Sequence, residues 1–251
     1  MIKKAILYNA ELQILTRDKR ERIMNCTYAV HMDCNGFKSL FVAQNGKLQR
    51  VAGAFLAVVG ALVLLPLASL GYLFENLGLT LLFLALMVFG IVFAVRPQMA
   101  LAGRKGVVYN WFSKHGCTNA SAMPLSSLEC DYRVSIEDYG YVESSASPTN
   151  RIPWFVLSGK TAKVPGGVCF LKDQGKDGSV IYNAIGINWA FRNEDMNGLL
   201  FVPNDAATPE LLQTIASRIK ESRSTYTGRA GRERAKHDER LAEWILGPKS
   251  E

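Results

Sequence analysis

Charge is missing from two long stretches of this chain. Val51 to Phe74 reads VAGAFLAVVGALVLLPLASLGYLF and Leu77 to Val95 reads LGLTLLFLALMVFGIVFAV, without one Asp, Glu, Lys, Arg or His. A surface helix of a soluble domain keeps a polar stripe, and neither run has one. Transporters and proton relays place ionisable groups inside their spans, so an uncharged pair argues against both. Histidine is scarce as well: His31, His115 and His237 stand in separate segments. Nucleophile elbows, H-E-x-x-H, phosphate-binding Walker loops and paired C-x-x-C motifs are all lacking.

What remains for chemistry is thin. Cys26, His31 and Cys34 match no zinc spacing, lack a fourth ligand, and on a strand His31 would point away from the two cysteines. Cys117 beside His115 could form an activated thiol, but no third group is in sequence reach to orient it. Pro165-Gly166-Gly167 reads as a turn, because a strand follows where a phosphate loop needs Lys and a helix. Glu194-Asp195 read as loop charges. The five cysteines (Cys26, Cys34, Cys117, Cys130, Cys169) are an odd, scattered set, which points to free thiols in a reducing compartment. The expectation is a non-enzymatic protein with no cofactor, no metal and no small-molecule substrate.

The uncharged runs themselves predict two membrane spans, residues 51–74 and 77–95. At 1.5 Å per residue they reach about 36 and about 28 Å, against a hydrocarbon core of roughly 30 Å. Residues 1–50 carry nine Lys and Arg against four acids; the turn Glu75-Asn76 carries no positive charge; Arg96, Arg104 and Lys105 follow the second run. Positive charge stays inside. The expected topology is a multi-pass protein of the bacterial inner membrane with N- and C-termini in the cytoplasm. Tyr72 and Phe74 suit interfacial positions. Gly53, Ala57 and Ala61 on the first span, and Gly90 and Ala94 on the second, are small residues four apart, a spacing that lets helix backbones approach. Packing within the hairpin is the plain reading; contact with another membrane partner is the sharper one. Pro66 is expected to kink the first span.

Residues 1–50 read as a cytoplasmic arm: a helical patch over 11–24, then strands at 27–32 and 39–43 around an Asn35-Gly36 turn. Arg17, Lys19, Arg20 and Arg22 form a basic run close to the anionic leaflet. Residues 96–223 read as a β-rich domain; residues 96–251, with 20 Lys and Arg against 17 acids, are near neutral and so not a nucleic-acid binder by charge. Strands are expected at 106–112, 128–136, 139–143, 152–157, 168–171, 180–191 and 199–202, separated by Gly- and Pro-containing turns such as Asp177-Gly178 and Asn197-Gly198. A closing helix follows over 208–223, with Thr208 as N-cap, Pro209 in the first turn, and Leu212, Ile215 and Ile219 on one face. The tail, 224–251, reads as a basic helix with an Arg234–Asp238 pair and a small apolar face at Leu241, Trp244 and Ile245. Arg229, Arg232, Arg234 and Lys236 could touch the membrane surface or a partner.

Strands followed by one amphipathic helix give a fold class of membrane hairpin plus an α+β cytoplasmic domain. Its β part is a sandwich or partly open barrel. The hairpin, then Arg104-Lys105-Gly106-Val107-Val108-Tyr109, then Met123-Pro124-Leu125-Ser126-Ser127-Leu128-Glu129, resembles bacterial membrane proteins with a pleckstrin-homology-like (PH-like) domain. The resemblance spans about residues 50–220; the insertion at Ala146 to Arg151 and the long N-terminal arm depart from it. The layout is also similar to two-helix inner-membrane proteins encoded beside type VI secretion and other polymorphic toxins. That resemblance implies a protein partner and a non-catalytic role, immunity to a secreted antibacterial toxin being its sharpest form. The alternatives are a membrane-tethered PH-like scaffold or sensor for envelope or secretion machinery, and a membrane enzyme.

Overall fold

The computed structural model describes residues 26–70, 72, 75–101, 103–145, 150–173, 181–184, 187–190, 196 and 198–247. The basic run at Arg17 to Arg22, Phe74, the turn expected at Asp177-Gly178 and the loop charges Glu194-Asp195 lie outside them.

The first strand, β1 (Thr27–Asp33), alternates strictly: Tyr28, Val30 and Met32 enter the core while Thr27, Ala29, His31 and Asp33 stay exposed. The chain then turns directly into α1 (Cys34–Ser69), capped by the Asp33 carboxylate, which accepts from the Gly36 amide at 2.7 Å. This corrects the strand expected at Ser39–Ala43 and the Asn35-Gly36 turn before it. Cys34, Phe37, Leu40 and Phe41 are buried at intervals of three and four, the period of a helix, and the cap leaves Asn35 and Gly36 inside its first turn. The first span therefore belongs to a helix that starts well before Val51 and ends at Ser69. Pro66 sits in its last turn.

The second span is α2 (Leu77–Val95). Both helices are long and apolar enough to cross a membrane. Only 11% and 6% of their most apolar stretches are buried, so they are not core helices of the domain. Phe55, Leu62 and Phe89 point outward among many others, an apolar surface far beyond what a soluble monomer shows to water. The hairpin is a membrane-associated element. It ends in a 3-10 turn, Pro97–Leu101, whose proline packs against Gly46 of α1.

Next comes α3 (Lys105–Lys114), where a strand was expected. Val, Tyr, Trp and Phe in this segment favour strands as residue types. Val108, Trp111 and Phe112 nevertheless fall on one helical face and bury it against Phe37, so tertiary packing overrides local preference.

Among the described residues, two antiparallel sheets and a separate hairpin complete the domain. The first runs β1-β2-β3-β4, with β2 (Glu129–Ile136), β3 (Gly140–Ser144) and β4 (Asn150–Pro153); Thr27 faces Ser135 and Asp33 faces Glu129. A 3-10 turn, Trp154–Val156, interrupts the run expected as one strand over 152–157. The second sheet runs β5-β6-β9, with β5 (Leu157–Val164), β6 (Gly167–Lys172) and β9 (Leu200–Pro203). The stretch expected as one strand over 180–191 is a hairpin, β7 (Ile181–Ala184) and β8 (Ile187–Ala190). The closing helix, α4 (Pro209–Tyr226), is capped by Thr208 and buries Leu211, Ile215 and Ile219; Leu211 takes the place expected for Leu212. Two further helices, α5 (Gly228–His237) and α6 (Glu239–Leu246), follow. Ala235, Leu241 and Ala242 are buried, and Trp244 donates to Glu137 at 2.6 Å.

Candidate partner-binding groove

One edge of the first sheet is covered; the other is open among the described residues. At the β4 edge, α6 lies close, Arg151 stacks over Trp244, and Pro153 ends the strand. At the β1 edge, no described strand pairs with β1 other than β2.

The register tells which peptide groups this edge exposes. Ile136 donates its amide to the Cys26 carbonyl, so Tyr28, Val30 and Met32 exchange backbone bonds with β2. In an antiparallel pair the intervening residues then turn their N–H and C=O away. Those residues are Thr27, Ala29, His31 and Asp33. The same logic applies to β9: Asn204 donates to Gly166, so the Phe201 carbonyl points away from β6. It accepts the Tyr28 hydroxyl at 3.1 Å, which ties the two edges together there.

Beyond that tie the edges part to leave a groove of about 540 Å³. Ala29 to Asp33 form one wall, Asn35, Gly36 and Ser39 at the start of α1 lie beside it, and Val164 to Gly166, Phe201 and Pro203 form the other. Its lining is mostly apolar. The charges on it are of one kind: Asp33, Asp131 and Asp205, with His31 and no Lys or Arg. His31 Nδ1 donates to the Asp131 carboxylate at 2.9 Å, both side chains being exposed. That hydrogen bond, with the carboxylates of Glu129 and Asp33, raises the imidazole above its ordinary value. That acidic end attracts cations, while Lys38 and Lys163 line the adjoining hollow that shares Asn35, Ser39, Val164 and Pro165 with it.

A second polar group is closed to solvent. His115 ends α3, with its Nδ1 at 2.7 Å from the Trp111 carbonyl and its ring stacked on Trp111. A carbonyl only accepts, so Nδ1 donates. Nε2 then meets Glu143 at 3.2 Å, a contact that requires a proton on one partner. The side chains are 1% and 6% exposed, so the pair joins α3 to β3 inside the core and is out of reach of a substrate. Burial, then the Glu143 charge, pushes the Tyr132 and Tyr141 hydroxyls well above their usual range. Tyr141 Oη has no hydrogen-bond partner among the described residues.

The residues singled out in the sequence fall as follows. Gly53, Ala57, Gly90 and Ala94 meet across the hairpin: a Cβ on Gly53 would lie 2.6 Å from the Ala94 nitrogen, and one on Gly90 would lie 2.6 Å from the Gly53 carbonyl. The third contact on α1 is made by buried Gly60 against Met87 and Phe83, with Ala61 only half-buried beside it. In the tail, Arg229 is exposed, Arg232 is half-buried, Arg234 donates to the Thr225 carbonyl at 3.4 Å and Lys236 pairs with Glu233 at 2.8 Å. Asp238, expected to pair with Arg234, instead caps α6 and accepts from Tyr226.

Among the cysteines, Cys34, Cys130 and Cys169 are buried, and burial pushes the Cys130 and Cys169 thiols up to about 12. Cys117 turns to Met123, not to His115. No cluster of three potential metal ligands occurs among the described residues. Asp131 and Asp205 went unnoticed in the sequence, since only the register places one beside His31 and the other beside the far wall. No protein-family model, curated protein or solved structure matches the chain.

Proposed function

We propose that this is a non-catalytic binding protein, anchored in the bacterial inner membrane by the α1–α2 hairpin and offering its α+β domain to a protein partner in the cytoplasm. The observation that carries the reading is the open β1 edge, with its groove, on a domain joined to the hairpin by an unbroken helix.

Gly46 packs on Pro97, so the chain segments entering and leaving the hairpin meet. This supports both flanks lying on one side of the bilayer. The basic residues near Arg50 and Arg96, against none at Glu75-Asn76, favour the cytoplasmic side. A four-stranded sheet, a three-stranded sheet and then a helix support a PH-like domain, with the hairpin placed between its first two strands. Immunity to a secreted toxin is the sharpest version; a scaffold for envelope or secretion machinery shares the same anchored groove.

Affinity purification of the full chain in mild detergent, followed by partner identification, tests the binding role, and return of no specific partner overturns it. Co-expression with a toxin recovered in that way separates the versions: rescued growth supports immunity, and unchanged killing leaves the scaffold.

A further inference from the structure

Resting on the binding role just proposed, we infer that the groove takes an extended, basic segment of a partner protein, which adds to the first sheet as a strand along β1.

Three features of the groove converge on that occupant. The first is backbone geometry. Ala29 and His31 turn their N–H and C=O into the groove, and no described residue bonds them. Such groups recur every second residue, about 6.8 Å apart, the repeat of an incoming strand. Natural sheets blunt or cover an exposed edge, and this domain does so at β4 with α6 and on β9 with Pro203, which has no N–H to offer. Among the described residues the β1 edge has neither device.

The second feature is charge. Asp33, Asp131 and Asp205 rim the groove without a Lys or Arg among the lining residues, in a chain with a net charge of +7. Alternate side chains of an added strand point to the same face. A segment with Lys or Arg at alternate positions would place its cations over the exposed side of β1 at the His31–Asp33 end, where Asp131 and Asp33 stand and which Arg133, opposite Ala29, does not reach in register. Its apolar residues would then face Phe201 and Val164 across the groove.

The third is distance from the membrane. Asn35 and Ser39 border the groove, and at 1.5 Å per residue they lie about 18–24 Å along α1 from Val51, where the apolar run begins. That exceeds a Debye length of about 8 Å. The acidic rim would also be repelled by an anionic leaflet. Both facts favour a soluble chain over lipid headgroups.

The test uses the full chain in detergent micelles and fluorescence polarisation with a labelled Lys-Val repeat peptide. The Lys-Val peptide should bind saturably, a Glu-Val repeat about tenfold more weakly or not at all. Replacing exposed Asp131 and Asp205 (D131N, D205N) should weaken the Lys-Val peptide about tenfold without altering unfolding, since neither residue is in the core. N-methylation of the peptide on one set of alternate residues should abolish binding, and on the other set leave it intact.

Equal binding of both repeats, or indifference to both methylation patterns, overturns the strand. A concentration-dependent dimer that excludes the peptide would assign the edge to a second copy of the chain. A tenfold gain on replacing Arg17, Lys19, Arg20 and Arg22 by Gln would assign it to the chain's own basic arm. If the peptide fails while purification still returns a partner, this inference falls and the binding role stands.

Discussion

The two halves of α1 obey opposite rules of burial. From Cys34 to Arg50 the helix buries large side chains: Phe37, Leu40 and Phe41 are at most 3% exposed and pack into a cluster with Trp111 and Phe112. From Val51 to Ser69 it fully buries only Gly53 and Gly60, while Phe55, Leu62 and Leu65 face outward. The helix is continuous, so the backbone is not the cause. Next to water, removing apolar area from solvent drives packing, by about 25 cal/mol per Å². In lipid that driving force vanishes, because the acyl chains are as apolar as leucine. What is left is van der Waals contact between backbones that glycine allows to approach. One helix thus carries a core face at one end and, at the other, a hairpin face made of the smallest residues it has.

The largest effect should come from breaking the first half. Phe37→Ala removes a fully buried ring beside Trp111 and Phe112, and should destabilise the domain by about 3–5 kcal/mol. Denaturant unfolding followed by tryptophan fluorescence measures it; a loss under about 1 kcal/mol would mean that this end of α1 is not part of the core. Breaking the second half should leave the domain alone. Gly90→Leu forces a side chain into the Gly53 carbonyl and should push the helices apart. Spin labels on outward-facing Leu62 and Leu84, each replaced by Cys, would report a longer distance with an unchanged unfolding midpoint. An equal loss of domain stability would show that the two halves are one cooperative unit.

The same contrast explains what could be read from the sequence. α2 was legible to its ends, Leu77 and Val95, because lipid imposes a composition over a fixed length. The water-facing half of α1 was not. Ser39-Leu40-Phe41-Val42-Ala43 alternates poorly for a helix taken alone, and its period emerges only when Cys34 and Phe37 are counted with it. α3 was misread for a related reason: its residue types favour a strand, while Val108, Trp111 and Phe112 are spaced for a helix. The glycine stripe was legible to Ala57 and then slipped by one, because the contact follows Gly53, Ala57, Gly60 and so alternates steps of four and three. The groove was not legible at all. His31 and Asp131 are a hundred positions apart, and the far wall comes from the β5–β6 turn and β9, so only the antiparallel register assembles it.

A smaller effect tests the boundary between the halves. Gln44 sits past the aromatic cluster, and its amide pairs with both backbone groups of Lys172 on β6: Oε1 accepts from the Lys172 N–H at 3.0 Å, and Nε2 donates to the Lys172 carbonyl at 3.1 Å. Gln44→Ala leaves both groups without that partner and should cost about 1–2 kcal/mol. Hydrogen exchange at Lys172 should accelerate. Gln44→Glu keeps the acceptor and loses the donor, so it should fall between the two. If Gln44→Ala costs as much as Phe37→Ala, the division at this point of the helix is misplaced.

The smallest effect lies just before α1 begins and sharpens the comparison by pH. Neither half of α1 contains a histidine, so neither should titrate near neutrality. His31 should, with its midpoint moved above 6.5 by the Asp131 hydrogen bond and by the carboxylates of Glu129 and Asp33. For a raised folded value, the stabilisation is present below the unfolded value and is lost as pH rises through the folded one. The side chains of His31 and Asp131 are 62% and 84% exposed, so solvent screens the pair and unfolding should move little over that range. The rim changes more than the stability does: as His31 loses its proton, Asp131 is left uncompensated, and a basic strand should bind the groove more tightly on the alkaline side. A proton NMR titration of the full chain in micelles, with Asp131→Asn bringing the His31 midpoint down, checks the cause. A midpoint unmoved by that substitution would detach the histidine from the rim and leave the groove's acidity independent of pH.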